Sequence, residues 1–383
     1  MKILFVVNNY YAQGNGLSAS ARRTVRHLQA AGQDVRVLSG RNADPQGPQP
    51  DYPLREFRIP FFDGLVRAHG YRFAKSEKAV IEEAVRWADV VHLEEPFVIQ
   101  WRTVHIARRL DVPCTATYHL HPENIFFSIG LGNWKFINHT LLRWWRDYVF
   151  NACTDIQCPT ENVRERLRRF RFKPRLHTIS NGIIPEPCIR KPSPDDSAPS
   201  HPFLVACIGR LAWEKDQFTL LEALRHSRHA HDIQLYLAGQ GPEREAVLAK
   251  AMALYEDGIV AYKPICRFLQ QAELRELSAR ADLYIHCAVI EVEGLSALEA
   301  LQQGVVPVIA TGPLTATAQF ALDDRSRFPM RDAHALAARI DWWYEHPHEL
   351  EQMHAAYVAS TERYAIDKSI AALVEMFAGA MAS

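Results

Sequence analysis

The sequence predicts an α/β protein built as two doubly wound parallel-sheet domains, on three observations. The chain has 383 residues, about the length of two domains. Short continuous apolar runs alternate with amphipathic stretches, as in a parallel sheet covered by helices on both faces. The alternation breaks at 185–202 and then restarts. The break holds Pro185, Pro187, Pro192, Pro194, Pro199 and Pro202 with Ser and Asp between them, which reads as a linker. The expected domains are therefore 1–184 and 203–364.

Residues 2–7 (Lys2-Ile3-Leu4-Phe5-Val6-Val7) make the first strand, apolar throughout because both its faces are covered. A Gly-containing loop follows. Leu17, Ala21, Val25, Leu28 and Ala31 then recur at helical spacing, and Gly32 supplies a C-cap. Val35-Arg36-Val37-Leu38 is the second strand, and further strands fall at 89–93, 113–118 and 155–158. After the linker come strand 203–208, helix 216–228, strand 232–238, helices 242–255 and 270–280, strand 282–286, helix 295–303 and strand 305–310. Residues 365–383 are helix-like. Two such domains create a cleft. Ligands of doubly wound sheets sit beyond the carboxyl ends of the strands, so functional side chains are expected just after strands.

Composition removes several classes. Hydrophobic residues are 48% and charged residues 23%, which excludes a disordered, collagen-like or disulfide-scaffold chain. Lys+Arg and Asp+Glu are both 44, so net charge gives no reason to expect nucleic acid as a partner. The seven Cys are scattered without a C-x-x-C pair, as expected of reduced thiols in a cytoplasmic protein and not of a disulfide or zinc framework. No apolar run reaches the roughly 18 residues that span a bilayer. The apolar N-terminus stops at Asn8-Asn9, too short for the hydrophobic region of a signal peptide.

Several clusters follow strands. Gly14-Asn15-Gly16 precedes the first helix, where free backbone N–H groups suit an anion. Its letters also satisfy the dinucleotide fingerprint. However, six residues separate it from the strand, and the second strand ends at Leu38-Ser39-Gly40 without the acid that holds a ribose. A plain surface loop fits the same letters. Gly209-Arg210 and Lys215 come straight after strand 203–208. Arg as a fork and Lys as a point charge can clamp a diphosphate; alternatively Glu214 and Asp216 neutralise both in a solvated helix start. Glu291 and Glu299 are separated by seven residues. Glu291 falls in the loop after strand 282–286, Glu299 inside the next helix, and Gly294, Leu295 and Ser296 offer N–H groups at its start. The two carboxylates flank that cradle and can accept from sugar or ribose hydroxyls. The plainer alternative is a capping carboxylate and a surface Glu.

His119-Leu120-His121-Pro122-Glu123-Asn124 follows strand 113–118, and His119 can donate to a substrate hydroxyl or a developing charge. With 17 His in the chain, a structural imidazole is the alternative. One stretch stands out by charge. Residues 163–175 hold Arg164, Arg166, Arg168, Arg169, Arg171, Lys173 and Arg175 against one acid, Glu165. Phe170 and Phe172 interleave, and Arg143-Trp144-Trp145-Arg146 comes before. The stretch suits an anionic membrane face, and a solvated basic helix competes with that reading.

Gly209-Arg210 with Lys215, followed by Glu291 with Glu299, resembles the retaining family 4 glycosyltransferases over essentially the whole chain. Their fold is GT-B: two Rossmann-like domains facing across a cleft. His119-Leu120-x-Pro122-Glu123-Asn124, the run Ala316-Thr317-Ala318-Gln319-Phe320-Ala321-Leu322-Asp323-Asp324-Arg325-Ser326, and Ile340-Asp341-Trp342-Trp343 are similar to bacterial glucosyltransferases that modify cholesterol or diacylglycerol. His121 stands where that group usually has Gln, and Val292-Glu293-Gly294 where family 4 usually has Gly-Phe-Gly.

The resemblance implies transfer of a hexose, glucose, from UDP-glucose to a membrane lipid, with retention, no metal and no cofactor beyond that co-substrate. It implies that Arg210 and Lys215 neutralise the diphosphate and the leaving UDP. The backbones of Gly16 and of Gly294, Leu295 and Ser296 would approach the phosphates, Glu299 would hold the ribose, and Glu291 the transferred sugar. His119 would contact the sugar near the reacting carbon. Glu123, Asn124, Arg164, Arg166, Arg168 and Arg169 fall to the acceptor and membrane side. Residues 365–383 would cross back near Tyr364 to complete the first, acceptor-binding domain, and 203–364 would bind the nucleotide-sugar. The expected location is peripheral, on the cytoplasmic face of the inner membrane. Two readings stay open beside this: the same chemistry on a surface polysaccharide or its lipid-linked precursor and, more distantly, an NAD-dependent oxidoreductase.

Overall fold

Apolar runs without alternation become the central strands of two parallel sheets, one in each half of the chain. The computed structural model describes residues 1–12, 16–58, 64, 71–127, 134–190 and 202–382. Gly14 and Asn15 of the Gly loop, and Pro192, Pro194 and Pro199 of the Pro-rich stretch, lie outside the described residues. The chain divides into two units, Met1–Gly182 with Ile366–Ser383, and Ile183–Ala365.

The first unit contains β1 (Lys2–Val6), α1 (Gly16–Ala30), β2 (Asp34–Gly40), β3 (Tyr52–Leu54), β4 (Glu56–Phe57), β5 (Phe73–Ala74), α2 (Lys78–Trp87) and β6 (Val90–Leu93). It continues with α3 (Val98–Arg109), β7 (Cys114–Thr117), α4 (Pro122–Phe127), α5 (Lys135–Tyr148), β8 (Asp155–Cys158), α6 (Glu161–Arg169) and β9 (Arg175–Thr178). Among the described residues the main sheet runs β3-β2-β1-β6-β7-β8-β9, with β4 and β5 as a separate antiparallel pair. β1 is central: Phe5 lies opposite Val37 on one side and His92 on the other, both in parallel register. Ile3, Leu4, Phe5 and Val6 are fully buried, which is why that run carries no polar alternation.

The second unit contains β10 (Phe203–Ile208), α7 (Gln217–His226), β11 (Ile233–Ala238), α8 (Arg244–Glu256), β12 (Ile265–Arg267), α9 (Gln271–Arg280) and β13 (Leu283–His286). It ends with α10 (Leu295–Leu301), β14 (Val306–Thr311), β15 (Arg327–Pro329), α11 (Ala333–Glu345) and α12 (Pro347–Thr361). Its sheet is parallel, in the order β12-β11-β10-β13-β14-β15. Helices α11 and α12 fill a stretch where the sequence reading places no element. The beginning of the Pro-rich stretch packs here: Ile189 N–H donates to Gln303 Oε1 (3.0 Å) and Arg190 Nη1 to the Ala281 carbonyl (2.8 Å).

The last helix, α13 (Ile366–Met381), belongs to the first unit. Ile366, Ile370, Leu373, Met376 and Phe377 join Ile3, Phe5, Val7 and Val25 in one apolar cluster. Arg175 donates to the Gly379 carbonyl (3.1 Å). Each sheet changes winding direction once, between β1 and β6 and between β10 and β13. In doubly wound folds that reversal opens a crevice at the carboxyl ends of the two strands.

Candidate functional site

At the β10/β13 reversal, the chain leaves β10 through Gly209 and Arg210 and enters a short 3-10 turn, Trp213–Lys215. The loop after β11 fastens this turn: Gly209 N–H donates to the Ala238 carbonyl (3.0 Å) and Leu211 N–H to the Gln240 carbonyl (2.9 Å). Only glycine fits at 239, because a Cβ there would overlap the Gly209 carbonyl oxygen. Lys215 closes the turn with Nζ on Glu291 Oε2. Glu291 is fixed by its backbone: its N–H donates to the Leu314 carbonyl (2.8 Å), and its carbonyl accepts from Ala316 N–H (3.2 Å).

Behind this pair stands His286, the last residue of β13. Its Nε2 is 3.5 Å from Glu291 Oε2 and its Nδ1 is 2.9 Å from the Tyr284 hydroxyl. Ser296 Oγ lies 3.5 Å from the same hydroxyl. Thr317 Oγ1 lies 3.3 Å from His286 Nε2 and donates to the Glu293 carbonyl (3.2 Å). Gly294 starts α10 in the left-handed region (φ +90°), where a Cβ would strike Thr317 Oγ1. Burial drives the Glu291 carboxyl up, but Lys215 and His286 more than offset it and hold it at about 2. Burial lowers the His286 imidazole below its ordinary value despite Glu291. The cluster thus presents a carboxylate against a lysine, with a neutral imidazole behind.

Lys215, Glu291, Gly294 and Ser296 are gathered at one point in this way. Arg210 keeps 38% of its side chain exposed and reaches Glu214 at 3.5 Å. Leu295 is the first residue of α10, and Glu299 is half-buried within that helix. No group of three or more His, Cys, Asp or Glu side chains among the described residues is placed to hold a metal ion.

In the first unit His119 Nε2 is 2.9 Å from Glu94 Oε2, and His92 Nε2 is 3.2 Å from Glu94 Oε1. His92 also meets Thr115 Oγ1 and Thr117 Oγ1, each at 2.8 Å, and Thr117 donates to Gln157 Oε1 (2.6 Å). A polar chain therefore crosses the carboxyl ends of β6, β7 and β8. Burial raises the Glu94 carboxyl, and His119 followed by His92 outweighs it, holding it at about 2. The adjacent Glu95 goes the other way: burial lifts it above its ordinary value although Tyr71 and Asn8 donate to it. Gly16 is exposed at the first position of α1.

The residues assigned to the acceptor and membrane side do not form one group. Glu123 and Arg166 pair with each other (2.7 and 3.0 Å), each side chain only 10% exposed. Asn124 Oδ1 accepts from His121 N–H (3.1 Å). Arg164 pairs with Glu161 (3.1 Å), Arg169 with Glu165 (3.3 Å) and Arg175 with Asp155 (2.8 Å). Arg168 is exposed on α6. Trp145 and Phe172 are buried in the core. The stretch 163–175 looks more basic than it is because Glu123, Asp155 and Glu161 lie outside it.

The sequence pattern of the family described as Glycosyltransferase Family 4 matches residues 14–186, and that of Glycosyl transferases group 1 matches 190–359. This chain is a family 4 glycosyltransferase. It is similar to alpha-monoglucosyldiacylglycerol synthase of Streptococcus pneumoniae, 24% identical over 82% of this chain and 71% of the relative. It is also similar to GDP-mannose-dependent alpha-mannosyltransferase of Mycolicibacterium smegmatis, 26% identical over 81% of this chain and 79% of the relative. Among solved structures, the catalytic domain of cholesterol-alpha-glucosyltransferase from Helicobacter pylori is 40% identical, covering 43% of this chain and 99% of that one, at a TM-score of 0.39. Anabaena HepE in complex with UDP-glucose is 14% identical at a TM-score of 0.70, over 99% of this chain and 100% of that one. That likeness shows the shared fold, GT-B.

The geometry adds residues to this glycosyltransferase that the sequence reading passes over, Glu94, Glu95, His286 and Gly239, and gives Thr317, quoted there only as part of a motif run, a contact with His286. Two carry a sequence signal. Glu94-Glu95-Pro96 puts consecutive carboxylates straight after a buried strand, and Gly239-Gln240-Gly241-Pro242 follows another.

Proposed function

We propose that this glycosyltransferase moves glucose from UDP-glucose to the hydroxyl of a membrane lipid, a sterol or a diacylglycerol, with retention at the anomeric carbon. The observation that carries the reading is the Lys215–Glu291 pair beside the start of α10, at the β10/β13 reversal. A lysine ammonium has three N–H donors, so Lys215 can hold Glu291 and meet a phosphate oxygen at once. Arg210 adds a second, half-exposed cation. The N–H groups of Gly294, Leu295 and Ser296 serve the diphosphate, and Glu299 takes the ribose. Glu291, ionised at neutral pH, accepts from hydroxyls of the transferred sugar.

As the bond from C1 to the phosphate oxygen breaks, the cations stabilise the leaving UDP. The acceptor oxygen bonds to the same face of C1, and its proton passes to the departing phosphate oxygen. This front-face course is what the family resemblance supplies. His119 meets the sugar near C1, its ring oriented by Glu94. The name of the pneumococcal relative and the His119–Asn124 and Ala316–Ser326 motifs support a lipid acceptor. Of the residues on the acceptor and membrane side, exposed Arg168 is available to headgroups, whereas Arg169 pairs with Glu165, and Glu123 and Arg166 hold each other.

The test is transfer of label from UDP-glucose to vesicles containing cholesterol or diacylglycerol, counted in the organic phase. Label on either lipid from UDP-glucose, and none from GDP-mannose, is the expected result. Transfer from GDP-mannose alone would replace the donor. Label found only on a lipid-linked saccharide would move the acceptor to surface-polysaccharide synthesis.

A further inference from the structure

Helix α5 is amphipathic in an unusual sense, because both of its sides carry aromatic rings. Asn138, Leu142 and Trp145 face the first unit's interior at intervals of four and three residues, and the Trp145 ring lies 6.2 Å from that of Phe97. The outer side carries Phe136 at 81% exposure, Trp144 at 43% and Tyr148 at 49%, with Trp134 at 59% just before the helix. The rings of Trp144 and Tyr148 stand 5.2 Å apart, so two of the four form a continuous surface. A helix in water gains nothing by presenting three large aromatics with a fourth beside its start, and clustered exposure of this kind marks an interaction face.

Basic residues flank the patch on one side. Lys135 and Arg143 are exposed on α5 itself. Arg146 donates to the Phe170 carbonyl (2.7 Å) and His139 packs on the Phe170 ring (4.9 Å), which ties the end of α6 to α5. Exposed Arg168, Arg169, Arg171 and Lys173 come with it. The acids here are engaged: Asp147 with Arg146 (2.7 Å) and Glu165 with Arg169 (3.3 Å). We propose that this face of α5 rests on an anionic membrane surface, with Phe136, Trp144 and Tyr148 among the headgroups and acyl chain ends and the basic residues on lipid phosphates.

Trp and Tyr suit that layer because each has an apolar body and one polar tip, and basic side chains suit its negative potential. Charge decides against a second copy of the chain. A two-fold contact would use the same patch on both copies and so bring one basic flank, with Arg143, Arg171 and Lys173, toward another of the same charge. Among the described residues no helix is long and apolar enough to cross a membrane, so the contact is interfacial. Helix α4, which packs on α5, begins three residues after His119. The patch therefore adjoins the segment carrying a residue assigned to the sugar. The inference rests on the lipid-acceptor reading for its purpose, but not for its test.

The experiment is sedimentation of the full chain with vesicles of phosphatidylcholine, with and without phosphatidylglycerol. It compares wild type, the Phe136→Ser/Trp144→Ser variant and the Arg171→Gln/Lys173→Gln variant. UDP-glucose titration of each variant verifies that the second unit is intact, and circular dichroism verifies that the fold is. The wild type should sediment with phosphatidylglycerol vesicles. The aromatic variant should lose roughly tenfold or more of its partitioning at every salt concentration. The charge variant should lose roughly fivefold per basic residue at low salt only. Sedimentation of the aromatic variant equal to wild type would overturn the proposal. So would a wild-type dimer that becomes a monomer on Phe136→Ser/Trp144→Ser, since the face would then belong to a second copy. If the variants behave as stated and no lipid receives label from UDP-glucose, the membrane face stands and the acceptor reading fails. If label reaches lipid while both variants bind vesicles as wild type does, the acceptor reading stands and this proposal fails.

Discussion

Lys215 and Glu291 are the residues on which the donor assignment turns. Their spacing in sequence is long, and each is held by its own loop before the other is considered. Lys215→Ala removes charge from the leaving diphosphate, and kcat is expected to fall by about 10²–10³-fold. A fall smaller than twofold would show that Lys215 is only a structural partner of Glu291. Acid titration tests the same pair by another route. Glu291 moves from an ordinary value of 4.5 to about 2 on folding, and Glu94 does the same in the first unit. A depressed carboxyl stabilises the fold fully above its unfolded value, and that contribution is lost as pH falls through the folded one. Stability of both units should therefore drop below about pH 4.5 toward pH 2. Glu291→Gln should flatten that loss in the second unit alone and Glu94→Gln in the first alone, as read by denaturant midpoints across that range. A single variant that flattened both limbs would contradict the assignment. Neither pair is legible from local sequence: Lys215 and Glu291 meet across 76 positions, and Arg166 and Glu123 across 43.

At the scale of elements, the buried strands are legible and the edges are not. β1 and β10 are apolar or nearly so because neighbours cover both sides. β9 is Arg-Leu-His-Thr with both ends exposed, and β15 ends in Pro329, so neither carries a strand pattern. Helix α10 stops at Leu301, short of the expected 303, because the chain turns at Gln302–Gly304 into β14. The two motif runs of the C-terminal half are explained by packing. Trp343 is fully buried and donates from Nε1 to the Arg325 carbonyl (3.2 Å), and the Arg325 guanidinium lies 4.6 Å from the Trp342 ring. Tyr357 donates to Ser326 Oγ (2.9 Å), and Asp341 accepts from Ser227 Oγ (2.5 Å). These contacts anchor the far end of the segment whose near end, Thr317, touches His286. Trp343→Ala should destabilise the second unit by about 3–5 kcal/mol and lower donor turnover with it. Unchanged denaturant stability would mean that α11 does not anchor that segment.

For the whole molecule, the Pro-rich break and the restart of alternation make two parallel-sheet units legible. The return of α13 to the first unit is visible in the sequence only as an apolar helix, since its partners on β1 and α1 lie more than 300 positions away. What places the chemistry is topology. Each sheet reverses its winding once, and the unusual side chains stand at the carboxyl ends beside those reversals: Lys215 and Glu291 after β10 and β13, Glu94 after β6 and His119 one strand further on. The donor is expected at the β10/β13 end of the second unit. The most direct measurement is a crystal structure of the full chain with UDP-glucose. Diphosphate oxygens are expected within hydrogen-bond distance of Lys215 Nζ and of the Gly294, Leu295 and Ser296 N–H groups, with Glu291 on the hydroxyls of the sugar. A nucleotide bound elsewhere on the chain, with no phosphate oxygen within reach of Lys215, would contradict it.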